Sequence, residues 1–450
     1  MASGSEFSFL LFLSISFFFF FLASTNINVE AIIINSINPS LPPFTSLYMP
    51  IQKDNSTLQY HTTVEWGSEE NYFDVVIDLG GEFLSLPCDT NNKSTTYSSI
   101  KCGSTKCTST CKANDSCVVS FLNPFNETVL SGRLSEDGFA AVPSDGDRIS
   151  RDSYLLTTSH HHNLIPFTCL DSSSLNGLAQ GDMGRVSGII GFGGTKMSFA
   201  KNLASSFQAP HRDKFAVCLP STNVGLGVVF IGGGPYWFDP YWVNGSMEAS
   251  KWLDYTPLSI NTLGEYFIGV KSIKIDKRVV HFNTSLLSHE GKTGLGRTKI
   301  STSTPYTILH TSIYNAVVGG FVKSAAARNI TRVAAVAKFG VCFNTKNVVW
   351  SKEGPRVPVI DLELEAGNGT RRNGVTWRII GANSMVGVNK NVMCLGFIDG
   401  GSKATTSIGG LQLEDNLLEF DLNTSMLGFT SSFLPRETRC TTDRLFQPDD

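Results

Sequence analysis

The chain has 450 residues, 41% of them apolar, which is enough to bury a large core and to build two or three compact units rather than one. Lys plus Arg number 36 against 39 Asp plus Glu, a net charge of -3, so no basic field favours nucleic acid or an acidic membrane surface. Function must be sought in local motifs.

Residues 9–23 form an almost unbroken apolar run, short for a bilayer span and placed where a secretory h-region sits. Residues 1–24 are expected to be a signal peptide, with cleavage as late as Ala31 after the pattern Val29-Glu30-Ala31. An exported chain meets an oxidising compartment, where ten cysteines, an even number, can pair into five disulfides. Cys102, Cys107, Cys111 and Cys117 lack C-x-x-C spacing and accompanying His, so bridges and no metal are expected there. Sequons at Asn55, Asn92, Asn114, Asn126, Asn244, Asn283, Asn329, Asn368 and Asn423 fit a glycosylated surface.

After the leader, residues 51–70 read as an entry segment and 72–86 as two short strands broken at Gly80-Gly81. Residues 88–117 are polar and cysteine-dense, an irregular loop stapled to itself. Strands are expected at 138–142, 164–170, 187–193, 214–220 and 224–232, and a short helix at 198–207. The aromatic, proline-rich piece 235–242 marks a boundary between lobes at 32–240 and 241–450. In the second half, 253–258, 266–275, 279–282, 299–304, 357–364, 375–380, 392–397 and 417–421 read as strands. Residues 312–327 form the clearest helix, with Ile313, Val317, Phe321 and Val322 at helical spacing for a core face. No βαβ alternation is visible, so the class is mainly β.

The two halves echo one another. Val76-Ile77-Asp78-Leu79-Gly80-Gly81 delivers a carboxylate into a glycine turn, and Lys299-Ile300-Ser301-Thr302-Ser303-Thr304 delivers a hydroxyl in the same way. The spacing from Asp78 to the Gly191 of Ile190-Gly191-Phe192-Gly193 is 113 residues, and from Ser301 to the Gly409 of Ile408-Gly409-Gly410 it is 108. Two related lobes with a cleft between them follow. The glycines at 191–196 and 232–234 match β turns rather than a phosphate loop, and His160-His161-His162 reads as a solvated loop rather than a metal site.

These motifs resemble the bilobal pepsin-like aspartic protease fold, in which each lobe supplies an apolar-apolar-Asp-Thr-Gly turn above an apolar-apolar-Gly strand. More narrowly, the chain is similar to the plant extracellular group of dermal glycoprotein, basic 7S globulin and the xyloglucanase and xylanase inhibitors. The stretches carrying that resemblance are 76–81, Tyr266-Phe267-Ile268-Gly269-Val270, Thr298-Lys299-Ile300-Ser301-Thr302, Ala327-Arg328-Asn329-Ile330-Thr331-Arg332-Val333 and Gln412-Leu413-Glu414-Asp415-Asn416. The resemblance implies the disulfides Cys88–Cys169, Cys102–Cys117, Cys107–Cys111, Cys218–Cys440 and Cys342–Cys394. It implies a secreted, monomeric glycoprotein of plant defence that inhibits microbial cell-wall glycoside hydrolases, with no cofactor, nucleic acid or membrane partner. Contact loops in that group come from the C-terminal lobe, and here Arg328, Arg332, Lys403 and Thr405 occupy the candidate stretches 327–339 and 400–407. Their plain alternative is solvated surface.

Protease chemistry needs two carboxylates a few ångströms apart, one acting as base and the other as acid. Asp78 supplies one; Ser301 stands at the other position, so both are vestigial, and loss of such a group costs about 10²–10⁴-fold. Leu79 replaces the threonine that ties the two turns together, which removes that cross-lobe hydrogen bond. Ser303 stands where glycine is expected, and 117–124 has no tyrosine to close over a substrate. Two other functions remain open: an acid endopeptidase that finds a second carboxylate elsewhere, and a storage or peptide-binding extracellular glycoprotein.

Overall fold

The computed structural model describes residues 44–441 except 69–70, 89–93, 108–109, 112–114, 145–162, 176–177, 179, 182–183, 241–245, 288–297, 368–373 and 403–404. The expected leader, His160–His162, Lys403 and the sequons at Asn92, Asn114, Asn244 and Asn368 lie outside the described residues. The sequons at Asn55, Asn126, Asn283, Asn329 and Asn423 are all exposed.

Short Val-, Ile-, Leu- and Phe-rich runs bounded by turn residues become strands throughout the described residues. The first half holds β1 (Ser46–Lys53), β2 (Tyr60–Trp66), β3 (Asn71–Asp78), β4 (Leu84–Pro87), β5 (Cys117–Leu122), β6 (Val129–Gly138), β7 (Leu164–Leu170), β8 (Gly188–Gly191), helix α1 (Phe199–Ser206), β9 (Lys214–Cys218) and β10 (Gly227–Ile231). The second holds β11 (Asp254–Ile260), β12 (Tyr266–Ile268), β13 (Val270–Ile275), β14 (Thr298–Ile300), β15 (Thr307–Leu309), helix α2 (Thr311–Ala326), β16 (Arg332–Val333), β17 (Cys342–Asn344), β18 (Ile360–Leu364), β19 (Val375–Ile379), β20 (Met385–Asn389), β21 (Val392–Leu395), β22 (Phe397–Asp399), β23 (Ser407–Ile408), α3 (Gly410–Leu413), β24 (Leu417–Asp421) and β25 (Met426–Phe429). The class is mainly β, as the patterning implies, and both longer helices fall within a residue of their expected bounds. The entry segment 51–70 instead contributes to β1 and β2. Its polar alternation hides the strand, because His61 and Thr62 are buried within it.

One antiparallel sheet joins the halves in the order β1-β10-β9-β24-β25-β11. The seam is β9 against β24, where Phe215 and Phe420 stack with ring centroids 4.7 Å apart. Burying such a pair adds about 0.5–1.5 kcal/mol beyond its area. Around this sheet, each half folds one strand-turn unit onto the other. In the first, β3 runs parallel to β8 and β8 antiparallel to β4; in the second, β14 runs parallel to β23, which also pairs with β15. Helix α2 buries Ile313, Val317 and Phe321 in the core, with Val322 packed at its edge.

Three of the five expected disulfides form: Cys88–Cys169, Cys218–Cys440 and Cys342–Cys394. The other two are exchanged, Cys102 bonding Cys111 and Cys107 bonding Cys117. The cause is burial. Cys117 points into a cluster of Phe83, Ile100, Val119, Leu134 and Met197, against which Cys107 also packs, while Cys102 is half-buried and Cys111 exposed at the rim. Non-reducing peptide mapping is expected to recover Cys102–Cys111 and Cys107–Cys117, and a Cys102–Cys117 peptide would contradict this packing.

The motif 412–416 is a buried polar clasp. Gln412 accepts from the Thr307 amide and hydroxyl and donates to the Asn383 and Gly396 carbonyls. Asn416 accepts from the Trp377 indole and the Ser432 amide. Glu414 lies 2.6 Å from both the Lys53 ammonium of β1 and the Tyr60 hydroxyl of β2, so it ties the start of the described chain to its end. Burial pushes the Glu414 carboxyl up to about 7 despite the pull of Lys53 and Tyr60. Because that lies above the ordinary value of 4.5, its contribution to stability is full below pH 4.5 and is lost as pH rises through 7. The melting temperature is expected to fall from about pH 5 to 7.5, by up to roughly 3 kcal/mol of stability. Glu414→Gln lowers stability throughout but flattens that slope; an unchanged slope in this variant would contradict the assignment.

Candidate functional site

Asp78 ends β3 and Ser301 follows β14, and both sit where a parallel partner strand supports the turn. The Asp78 carbonyl accepts from the Phe192 amide (2.8 Å), and the Ser301 amide donates to the Ile408 carbonyl (3.0 Å). Gly191 is obligatory here, since a Cβ would lie 2.3 Å from the Gly81 carbonyl oxygen; at Gly409 a Cβ would lie 2.3 Å from the Tyr306 carbonyl carbon. The echo seen in the sequence is thus a structural repeat, with the two turns facing one another.

The turns are bonded together through Thr302, a residue to which the sequence reading gave no role. Its hydroxyl donates to the Ile77 carbonyl (2.8 Å) and accepts from the Leu79 amide (3.2 Å). The expectation that Leu79 removes the link is therefore corrected by half. Leu79 has no hydroxyl to give, yet its backbone and that of Ile77 still receive the one from the opposite turn. The available signal was a second hydroxyl residue immediately after Ser301.

Asp78 is 5% exposed, and burial raises its carboxyl above the ordinary range. The amides of Gly80 and Gly81 and the charge of Lys299 oppose that shift, and Glu265 adds to it. Gly80 donates to Oδ1 at 3.0 Å. Ser301, 1% exposed, shares its hydroxyl with that of Ser303 at 2.8 Å and accepts from the Ser303 amide. Ser303 thus fills the place expected of glycine with a side chain that occupies the Ser301 hydroxyl. The carboxylate that acts on Asp78, Glu265, is itself held by Lys299 and by the Asn261 amide (2.7 Å). The hairpin of β5 and β6 contains no tyrosine; its Phe121 leans against Phe83.

The second group of candidates does not share one fate. Arg328 is exposed but its Nη2 lies 2.6 Å from Asp276 Oδ1, which also accepts from the Val359 amide. Arg332, on β16, is exposed and has no ion pair to another described residue. Thr405 is half-buried.

Two family models match the chain, Xylanase inhibitor N-terminal over residues 60–233 and Xylanase inhibitor C-terminal over 265–431. The "Probable aspartic proteinase GIP2" of Nicotiana benthamiana is 43% identical over 423 residues, covering 88% of this chain and 90% of that one. The chain belongs to this pepsin-like family. A gamma conglutin 1 of Prunus dulcis is 37% identical over 88% of each chain. Among solved structures, that of edgp superposes with a TM-score of 0.78 at 40% identity, over 89% of this chain and 98% of that one. Soybean basic 7S globulin gives 0.70 at 28% identity, over 90% and 100%. Family membership fixes the fold as pepsin-like; the turn chemistry above is this chain's own.

Thr302→Val would leave the buried Ile77 carbonyl and Leu79 amide without their partner, and is expected to cost about 2–4 kcal/mol in denaturant unfolding. Ser301→Ala removes only the contact with Ser303 and should cost about 1 kcal/mol or less. Equal losses would show that Thr302 does not join the turns.

Proposed function

We propose that this chain is a secreted, catalytically silent pepsin-like glycoprotein, with lobes at 32–240 and 241–450, that binds and inhibits a microbial cell-wall glycoside hydrolase of xyloglucanase or xylanase type. The observation that carries this reading is the match of both halves to xylanase-inhibitor models. The hydroxyl at position 301 supports silence: it is engaged by Ser303, and Asp78 has no second titrating carboxyl bonded to it among the described residues. A group whose pair is missing cannot pass a proton back and forth, so peptide hydrolysis loses the acid–base pair it depends on.

Glycoside hydrolases of this kind present two carboxylates across a sugar cleft. A guanidinium can bridge such a pair with two parallel bonds, which a lysine cannot. Of the two arginines considered, Arg332 has that fork available, whereas Arg328 spends its own on Asp276. Arg332 is the cation we assign to the partner's carboxylates, with Thr405 at the margin.

The test is residual activity of a panel of secreted xyloglucanases and xylanases mixed with the purified protein, with retention of the enzyme on immobilised protein as the second readout. Against an enzyme that is inhibited, Arg332→Ala is expected to weaken inhibition at least about 30-fold, and Arg328→Ala less than about threefold. No inhibition and no retention across the panel would overturn the reading in favour of a storage or peptide-binding protein. Cleavage of a peptide near pH 4, blocked by a statine-type inhibitor, would overturn its silence.

A further inference from the structure

Helix α2 begins at a point where both candidate contact segments are anchored. Thr311, its first residue, donates through its hydroxyl to Asp399 Oδ1 (2.6 Å) and through its amide to the Gly401 carbonyl (3.2 Å). Gly401 returns its own amide to Asp399 Oδ1 (2.9 Å), and the Gly400 amide bonds the Leu309 carbonyl just before the helix. These bonds hold the Asp399 carboxyl below its ordinary range. His310 caps the helix, its Nδ1 accepting from the Ser312 amide.

One turn later, Tyr314 meets the other segment. Its hydroxyl lies against Gly340, where a Cβ would come within 2.4 Å of that oxygen. Tyr314 also feels the charges of Asp399 and Arg332 at once. The segment it touches carries mostly small side chains. Between Val333 and Phe339 its side chains are Ala334, Ala335, Val336, Ala337 and Lys338, exposed or half-buried, and Phe339 folds back to pair with Val336 and pack edge-on to Tyr306 at 5.0 Å. Its base is tied to β21 by Cys342–Cys394.

We propose that the first turn of α2 is a shared brace for the segments 332–340 and 399–402, and that Tyr314 is the positioning residue that makes them one rigid surface. The inference rests on the proposed function only for what that surface meets; the coupling itself is a property of the fold. A segment held before binding loses less freedom on binding, so the brace contributes affinity without touching the partner. The absence of a Cβ at Gly340 is then required by the Tyr314 hydroxyl, not by a turn.

Amide hydrogen exchange on the full chain tests this without any partner. Tyr314→Phe keeps the ring in the core and removes the hydroxyl that abuts Gly340, so exchange is expected to quicken about tenfold at 334–340 and also at 399–402, which the Tyr314 hydroxyl does not touch. Thr311→Val should act in reverse, freeing 399–402 and, through α2, 334–340. Melting temperature and exchange in β17 and β21 should stay near wild type in both variants. Acceleration confined to the segment next to each substitution would reduce the brace to two local anchors and overturn the coupling, as would no acceleration at all. Loss of inhibition with both segments still protected would bear on the proposed function and not on the brace.

Discussion

Everything about the site follows from the lack of room where the two turns meet. Gly191 and Gly409 each face a backbone atom that a Cβ would strike at 2.3 Å, so each supporting strand must close tightly under its turn. Closure at that distance buries Ile77, Leu79, Ser301 and Thr302 almost completely. Buried backbone then demands partners, and the Thr302 hydroxyl supplies one donor and one acceptor across the interface. A single hydroxyl can do this because it offers both roles at once.

The six-stranded sheet and the 412–416 clasp extend the same bond between halves to the far ends of the described chain. The sheet does it with apolar surface, β9 against β24, and the clasp does it with the bonded side chains of Gln412, Glu414 and Asn416. Leaving any of them unanswered would cost far more than the bond contributes, which is why the motif acts as a unit. Lys53 and Glu414 illustrate the balance. Their attraction does not fully offset the loss of water, so the carboxyl titrates high although a cation touches it.

The fold class, both long helices, the paired turns and most strands were legible because they depend on period and on glycine, and both are written locally. The boundary strands β1 and β2 were not, since His61 and Thr62 are polar residues that tertiary contacts bury. The burial of Glu414, Asp415 and Asn416 had no local signature either; a run of acids and amides near a chain end reads as surface. The Cys102–Cys117 region shows the same limit. Which sulfur reaches which depends on Phe83 and Met197 arriving from elsewhere in the chain. For the candidate contact residues, the sequence named Arg328 and Arg332 together, and only Asp276, some fifty residues earlier, separates them.

An aspartate in the first turn opposite a serine in the second has a physical account in the turn itself. The Gly80 amide donates to the Asp78 carboxyl, and a Cβ on Gly81 would approach its Oδ2 to 2.8 Å. That space admits a small acceptor and little else. An apolar side chain of similar size would leave the Gly80 amide without its partner, and a larger acceptor would collide with the glycine turn. Ser301 faces the same demand and meets it differently, by bonding Ser303 within its own turn. One turn thus needs its carboxylate for geometry and the other is content with a hydroxyl. The asymmetry between the two turns is the same one that keeps each turn internally satisfied.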